Sequence, residues 1–232
     1  MLRMVLFFGL LLPGCLNKQE YREEELYHDY QITGEEGASQ VSILVQFRVR
    51  NSYGSTVELL PGTGIQLDGV ALELDNSTQS GPMYVASRPL NEFKGPHQLV
   101  YTDTKGKKWK QDLNYPVVYL GDESIFSKAV DSAGFSLQIL AEPAVKKLRV
   151  LMTDTSYAGK EFDKIILLNQ DHLEIKSRDL GGFKPGPIQL ELIAEYHRNL
   201  GGKNQPGGAL SLTYTLRREF LWAGLPDSSR RP

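Results

Sequence analysis

Alternating apolar and polar side chains mark residues 41–49 as the clearest strand of the chain. Successive side chains of a strand point to opposite faces, so a period of two residues indicates a strand with one buried face. Leu44 is the exception, an apolar residue on the polar side. The face that we expect to be buried carries Val41, Ile43, Val45, Phe47 and Val49.

Similar short segments follow one another along the chain, separated by turn signals. Asp68-Gly69 lies between two apolar runs and predicts a two-residue hairpin, because both positions of such a turn need positive φ. Residues 103–106 predict a longer hairpin that Gly106 closes. No stretch has the pattern and caps of a three-turn amphipathic helix. Further strands are expected at 30–33, 56–60, 65–67, 70–74, 83–85, 97–102, 107–113, 124–130, 134–141, 147–153, 163–168, 172–176, 188–196 and 209–220.

Short strands with frequent turn signals predict an all-β fold, and specifically a β-sandwich. Pro116 lacks a backbone donor and interrupts the strand series near its middle. We therefore expect two tandem antiparallel β-sandwich domains, an N-terminal one at 30–115 and a C-terminal one at 122–222. Residues 223–232 are polar and predict a flexible tail.

The stretch Leu173–Leu216 resembles the E, F and G strands of immunoglobulin-like or fibronectin-type-III-like modules. It has a Leu-x-Ile strand at 173–175, a Leu-x-x-Phe-x-Pro-Gly corner at 180–186, a long alternating strand and a final hairpin. The resemblance implies an immunoglobulin-like sandwich. The chain has a single cysteine, so the Cys–Trp–Cys framework of antibody-type domains is absent.

The N-terminus carries a different pattern. Arg3 precedes an apolar run, Met4–Leu12, that only Gly9 interrupts. The run is too short to cross a bilayer, which takes about 20 apolar residues, but it has the length of a signal-peptide core, about 7–15 residues. Leu12-Pro13-Gly14-Cys15, which ends it, resembles the lipobox of bacterial lipoproteins. The alternative is an ordinary secretory signal followed by a chance cysteine.

The lipoprotein resemblance implies cleavage after Gly14 and lipidation of Cys15. Residues 1–14 are then the signal peptide, and residues 15–29 are a lipidated cysteine with an acidic, flexible tether. Two or more acyl chains give stable anchoring, so the membrane itself would be a partner. We expect a lipid-anchored protein of the bacterial cell envelope. Leu16 replaces the Asp that retains many enterobacterial lipoproteins at the inner membrane, which favours the outer membrane.

Composition and motifs argue against several classes of function. Lys and Arg number 26 against 28 Asp and Glu, so nothing in the charge favours nucleic-acid binding. The four histidines match no zinc-protease spacing, and no Gly-x-Ser-x-Gly elbow or phosphate-binding loop is present. We therefore expect no enzyme, no catalytic residue, no metal and no cofactor. Calcium is the one metal considered, through carboxylates at or near predicted loops: Asp103, Asp122, Glu123, Asp131, Asp154 and Asp163.

The leading hypothesis is a non-enzymatic binding, structural or adhesion module that takes a protein or glycan ligand. The loops at 154–160 and 200–208 are expected to form its binding surface at one end of the second domain. The first alternative is a polysaccharide-capturing outer-membrane lipoprotein, and the second is an enzyme with an unrecognised carboxylate site. Capture of polysaccharide would need an exposed aromatic platform drawn from Tyr53, Tyr84, Tyr115, Tyr119, Tyr157 and Trp222.

Overall fold

The computed structural model describes residues 21–77, 79–131, 133–154, 159–202 and 205–224. The predicted cleavage site at Gly14 and lipidation site at Cys15 lie outside these residues. The described chain is nearly all strand, and its longest helix is the single turn α1 (Ser177–Leu180). The expected all-β class is therefore confirmed. In the first half the strands are β1 (Leu26–Glu35), β2 (Gln40–Val49), β3 (Gly64–Leu67), β4 (Val70–Ala71), β5 (Glu73–Asp75), β6 (Met83–Pro89), β7 (Gly95–Thr102) and β8 (Lys108–Tyr115). In the second half they are β9 (Val117–Leu120), β10 (Ala129–Val130), β11 (Gly134–Glu142), β12 (Lys147–Asp154), β13 (Glu161–Leu167), β14 (His172–Lys176), β15 (Gly186–Gly202) and β16 (Gln205–Trp222).

One large sheet runs through both halves of the chain, in the order β13-β12-β15-β16-β1-β2-β6-β5. The hairpin of β15 and β16 forms its centre. β16 lies antiparallel to β15, parallel to β1 from Gly207 to Thr215, and parallel to β10 at Leu221 and Trp222. The long C-terminal strand β16 therefore pairs with strands from both halves of the chain. These two parallel pairings depart from the expected antiparallel arrangement.

Two smaller sheets cover the large one. The sheet β4-β3-β7-β8 covers the first half, and the sheet β14-β11-β9 covers the second. Aromatic side chains join the layers: Phe47 of β2 lies 5.2 Å from Tyr101 of β7, and Phe135 of β11 lies 5.1 Å from Phe220 of β16, between ring centroids. The buried side chains of both halves form one hydrophobic cluster, as the alternating strands of a sandwich require.

The predicted hairpin turns are confirmed. Asp68 and Gly69 have φ values of 50° and 82° between β3 and β4, as a two-residue hairpin of this type needs. Gly106, with φ of 76°, closes the turn between β7 and β8, where its N–H donates to the carbonyl oxygen of Asp103. Val41, Ile43, Val45 and Phe47 are all fully buried.

Two strand predictions are wrong, and a third strand, at 163–168, is present but not buried as predicted. Residues 56–60 form no strand and make only an isolated bridge between Thr56 and Arg48. Ser124–Ser127 is a 3-10 turn, because the carboxylate of Asp122 accepts the Ser124 N–H and turns the chain; only Ala129–Val130 pairs as β10. Residues 163–168 are not a buried run, since β13 is an outer strand in which Leu167 is 73% exposed.

Residues 26–29 belong to a strand and not to the predicted tether at 15–29. Glu23–Glu25 forms a 3-10 turn, and β1 begins at Leu26, which is buried. The period-two pattern was masked there by acidic side chains, although Leu26, His28, Tyr30 and Ile32 share the buried face of β1. The division into domains at 30–115 and 122–222 stays a prediction, and the large sheet is continuous across it.

Within the described ranges, no helix has the length and apolar character needed to cross a membrane.

Candidate functional site

An open groove lies where the two halves meet, on either side of Tyr119. Tyr119 of β9 and Leu140 of β11 are register partners in adjacent strands. Their side chains are therefore neighbours on one face of the small sheet, and they are 45% and 47% exposed. Two large apolar side chains side by side in solvent are the kind of surface that marks an interaction site. We call this feature the junction groove.

Tyr119 separates two cavities of the junction groove. One, of about 290 Å³, lies over β11 and the loops that follow β11 and β13. The other, of about 670 Å³, lies between β9 and the turn that joins β1 to β2. The first is lined by Tyr119, Ile139, Leu140, Ala141, Glu142, Ala144, Val145, Leu168 and Asp171. The second is lined by Glu36, Gly37, Ala38, Ser39, Leu90, Asn91, Lys94, Val117, Tyr119 and Tyr214.

An ion pair crosses the junction groove from one half to the other. Lys94 Nζ lies 2.9 Å from the Glu142 carboxylate. The hydrogen bond and charge of Lys94 hold the pKa of Glu142 below its usual range, and those of Glu142 raise the pKa of Lys94. Both side chains are exposed, so the pair adds little to stability. It does place one positive and one negative charge at the rim of an apolar surface.

Glu36 and Tyr214 form part of the wall of the second cavity. The guanidinium of Arg218 contacts the carboxylates of Glu36 and Glu123, one from each half of the chain. Tyr214 of β16 is buried, and burial raises its pKa to about 12. The groove wall is therefore held by contacts between the halves, so its shape depends on how the halves are joined.

β9 is an outer strand. It pairs with β11 and, in the part of the chain that the structure describes, with no other strand. The Gly121 N–H donates to the carbonyl oxygen of Gln138, and Tyr119 lies opposite Leu140 in the same register. Because backbone groups alternate in direction along an antiparallel strand, those of Val118 and Leu120 point away from β11. Val118 is only 1% exposed, so this edge is covered by neighbouring parts of the fold rather than open to a partner strand.

The six aromatic residues considered for a glycan platform do not come together. Tyr84, Tyr115 and Trp222 are buried, and Tyr157 lies outside the described residues. Tyr53 is 95% exposed, but it lies beyond the end of β2, whereas Tyr119 lines the groove next to the β1–β2 turn at the other end of that strand. A strand of ten residues separates them by about 30 Å.

The carboxylates considered for calcium are engaged locally and lie apart. Asp103 accepts hydrogen bonds from the Lys105 and Lys107 N–H groups and from Trp109 Nε1. Burial opposes ionisation of Asp103, but these donors outweigh it and hold its pKa below the usual range. Asp122, Asp131 and Asp154 each accept a backbone N–H within their own loop, while Asp163 pairs with Arg149 and Glu123 with Arg218. Among the described residues no group of three or more His, Cys, Asp or Glu could hold a metal.

The loops at 154–160 and 200–208 do not form one binding surface, contrary to the prediction. Asp154 pairs with Ile188 at the start of β15, whereas Leu200 pairs with Gly208 at the other end of that strand. The two loops therefore lie at opposite ends of a long hairpin. Residues 155–158 and 203–204 lie outside the described ranges. The prediction failed because β12 runs antiparallel to β15, so the end of β12 lies beside the start of β15 and away from the turn that follows β15.

Sequence reasoning identified Tyr119 but missed Leu140, Lys94 and Glu142. Leu140 carried a signal: it is an apolar residue at a position of β11 where alternation places the side chain in solvent. An apolar side chain on the solvent-facing side of a strand can be explained by contact with a binding partner. Lys94 and Glu142 are 48 positions apart, so only the fold brings them together.

No protein-family model and no curated protein matches this chain. Solved structures give distant likenesses only. The chain is similar to Dpr11 IG1 in a crystal structure with DIP-gamma IG+IG2, at 10% identity, with 88% of this chain and 98% of that chain covered and a TM-score of 0.24. It is also similar to the Yersinia pseudotuberculosis adhesin InvE, at 12% identity, with 82% and 60% covered and a TM-score of 0.23. Likenesses this distant carry no argument about family or function.

Proposed function

We propose that the protein is a lipid-anchored component of the bacterial cell envelope that binds a protein partner at the junction groove and catalyses no reaction. The observation that carries the proposal is the exposed pair of Tyr119 and Leu140, which are register partners on one face of the small sheet. Aromatic residues are enriched at protein interfaces.

The rim of the groove suits recognition of a polypeptide. Lys94 and Glu142 offer one charge of each sign next to the apolar pair, a common arrangement of polar rim and apolar centre. The neighbouring carboxylates are engaged in ion pairs: Glu36 and Glu123 contact Arg218, and Glu142 contacts Lys94. These contacts support binding over catalysis.

The anchor is proposed at Cys15, from its place after the apolar run 4–12. An acylated Cys15 would hold the folded part at a membrane, and Leu16 favours the outer membrane over the inner one. The alternative of polysaccharide capture required an exposed aromatic platform. It loses that support because Tyr53 and Tyr119 lie far apart.

A photo-crosslinking experiment tests the groove. A benzoylphenylalanine placed at Tyr119 in the full-length protein, in its native envelope, should give a discrete crosslinked protein band. The matched control is the same probe at Tyr196, a tyrosine of β15 that is 45% exposed, like Tyr119, and does not line the groove. Leu140→Ser should abolish the band formed from position 119. Equal crosslinking at both positions, or none at position 119, would contradict groove binding.

A further inference from the structure

We propose that the end of the molecule nearest the acylated N-terminus is a second contact surface, for the anionic lipid headgroups of the anchoring membrane. The surface consists of the N-terminal turn 21–25, the turn 50–54 and the hairpin tip 103–110, and we call it the anchor-proximal end. Its placement near a bilayer rests on the proposed acylation of Cys15. The charged side chains and the exposed aromatic ring of the anchor-proximal end belong to residues that the structure describes.

Hydrogen bonds bring the three segments together. The Glu23 carboxylate accepts the Thr104 backbone N–H at 2.8 Å and the Thr104 hydroxyl at 2.6 Å. The Arg50 N–H donates to the carbonyl oxygen of Glu25 at 2.6 Å. The N-terminal turn therefore joins the hairpin tip on one side and the turn after β2 on the other. Whatever holds the N-terminus at a membrane presents all three segments to it.

The three segments carry six cations against the four carboxylates Glu23, Glu24, Glu25 and Asp103, a net charge of +2 on a protein whose net charge is −2. Four lysines, together with Arg22 and Arg50, are exposed there. Glu24 lies near Lys105, at 3.9 Å, and Glu23 is held by Thr104, so exposed cations outnumber exposed carboxylates. A cluster of this kind near a lipid anchor attracts anionic headgroups. The lysines are Lys105, Lys107, Lys108 and Lys110.

An exposed aromatic ring lies in the same turn as Arg50. Tyr53 is 95% exposed. Its backbone N–H donates to the Asn51 side chain, which fixes the turn. Tyrosine is enriched at membrane interfaces, where its ring contacts lipid and its hydroxyl stays hydrated. The combination of basic side chains and one projecting tyrosine fits a lipid surface better than water.

The reach of the chain keeps this end of the fold close to the proposed anchor. Six residues lead from Cys15 to Tyr21, and an extended chain covers at most about 3.6 Å per residue, or about 20 Å in all. Tyr21 is fixed to the fold, because its hydroxyl donates to the carbonyl oxygen of Glu58 at 2.9 Å. An acyl chain and a basic patch are the two signals that together give stable membrane attachment.

Amine footprinting of the acylated protein tests the surface. The protein is reconstituted in three environments: anionic vesicles of phosphatidylglycerol and phosphatidylethanolamine, vesicles of phosphatidylcholine, and neutral detergent micelles. Mass spectrometry then measures the acetylation rate of each lysine. The four hairpin lysines should react about fivefold more slowly on the anionic vesicles than in micelles, the ratio that about 1 kcal/mol per lysine implies. Equal rates in all three would overturn the proposal, as would equal protection on phosphatidylcholine. Unprotected internal references are Lys146, Lys147, Lys176 and Lys184, which are exposed in the second half.

Failure of the anchor is distinguishable from failure of this surface. If mass spectrometry finds no acyl group on Cys15, the anchor is wrong, and the Cys15→Ser full chain still tests the surface by co-sedimentation with phosphatidylglycerol vesicles. Changing the four hairpin lysines to Gln should lower the bound fraction at least about fivefold. The same change at the four reference lysines alters net charge equally and should leave binding near that of the parent. Equal losses in both variants would overturn the proposal.

Discussion

At the scale of single residues, a buried histidine couples stability to pH. His28 of β1 is 3% exposed and packs edge-on against Phe47 and Tyr101, while its Nδ1 lies 2.8 Å from the Tyr30 hydroxyl. Its Nε2 is buried without a hydrogen-bond partner among the described residues. Burial lowers the pKa of His28 to about 3, so this side chain is neutral in the folded protein at neutral pH.

Stability should therefore fall as pH decreases below about 6.5. The unfolded chain binds a proton at His28 near pH 6.5 and the folded chain does not, so each pH unit between about 6.5 and about 3 removes about 1.4 kcal/mol of unfolding free energy. Denaturant titrations from pH 7 to pH 5 measure this slope before the carboxylates titrate. His28→Phe with Tyr30→Phe should flatten it, whereas the exposed-site control His197→Gln should keep it. An unchanged slope in the double variant would exclude His28 as its source.

At the scale of elements, the long strand β16 ties the two halves together. Its first part pairs with β1 of the first half, and its end pairs with β10 of the second. Tyr115 of β8 adds a bond from the covering sheet, since its hydroxyl donates to the carbonyl oxygen of Thr213 at 2.8 Å. A loss of packing in β16 should therefore lower the stability of both halves.

Leu212→Ala should destabilise both halves together. Leu212 is 1% exposed in β16, and removing such a side chain costs about 2–5 kcal/mol. The two tryptophans report separately, because Trp109 is in β8 and Trp222 ends β16. In Trp109→Phe and Trp222→Phe backgrounds, urea unfolding followed by fluorescence should show the same shift on adding Leu212→Ala. A shift seen by Trp109 alone would mean that the halves unfold independently.

The sequence predicted local strands well and long-range pairing poorly. Period-two alternation located β2, β11, β12 and β14, because one buried face is a local property of a strand. It located the strand at 163–168 but wrongly predicted that it is buried, because an apolar run looks the same in an outer strand as in a core. Parallel pairing of β1 with β16 joins residues 180 positions apart and leaves no local signal.

For the same reason, only part of the candidate site could be predicted from the sequence. Tyr119 could be singled out as an aromatic residue near a predicted junction, but its neighbour Leu140 became visible only when register placed them side by side. Lys94 and Glu142 meet only in the folded chain. Local rules find the strands that carry a site, and register decides which of their side chains share it.

At the scale of the whole molecule, the proposed anchor and the proposed binding groove lie at opposite ends of β1. The anchor-proximal end lies where β1 begins, and the junction groove lies next to the β1–β2 turn, at the far end of β1. A strand of ten residues separates the two by about 30 Å. A protein held at a membrane by its N-terminus would thus carry its groove away from the lipid, where a partner can reach it.

Acylation of Cys15 is the claim on which this arrangement depends most directly. Metabolic labelling with a palmitate analogue should mark the wild-type protein, and Cys15→Ser should remove the label, because Cys15 is the only cysteine in the chain. Intact mass should place Cys15 at the mature N-terminus with its acyl groups attached. A wild-type protein that is never labelled, or a label that persists in Cys15→Ser, would contradict the anchor.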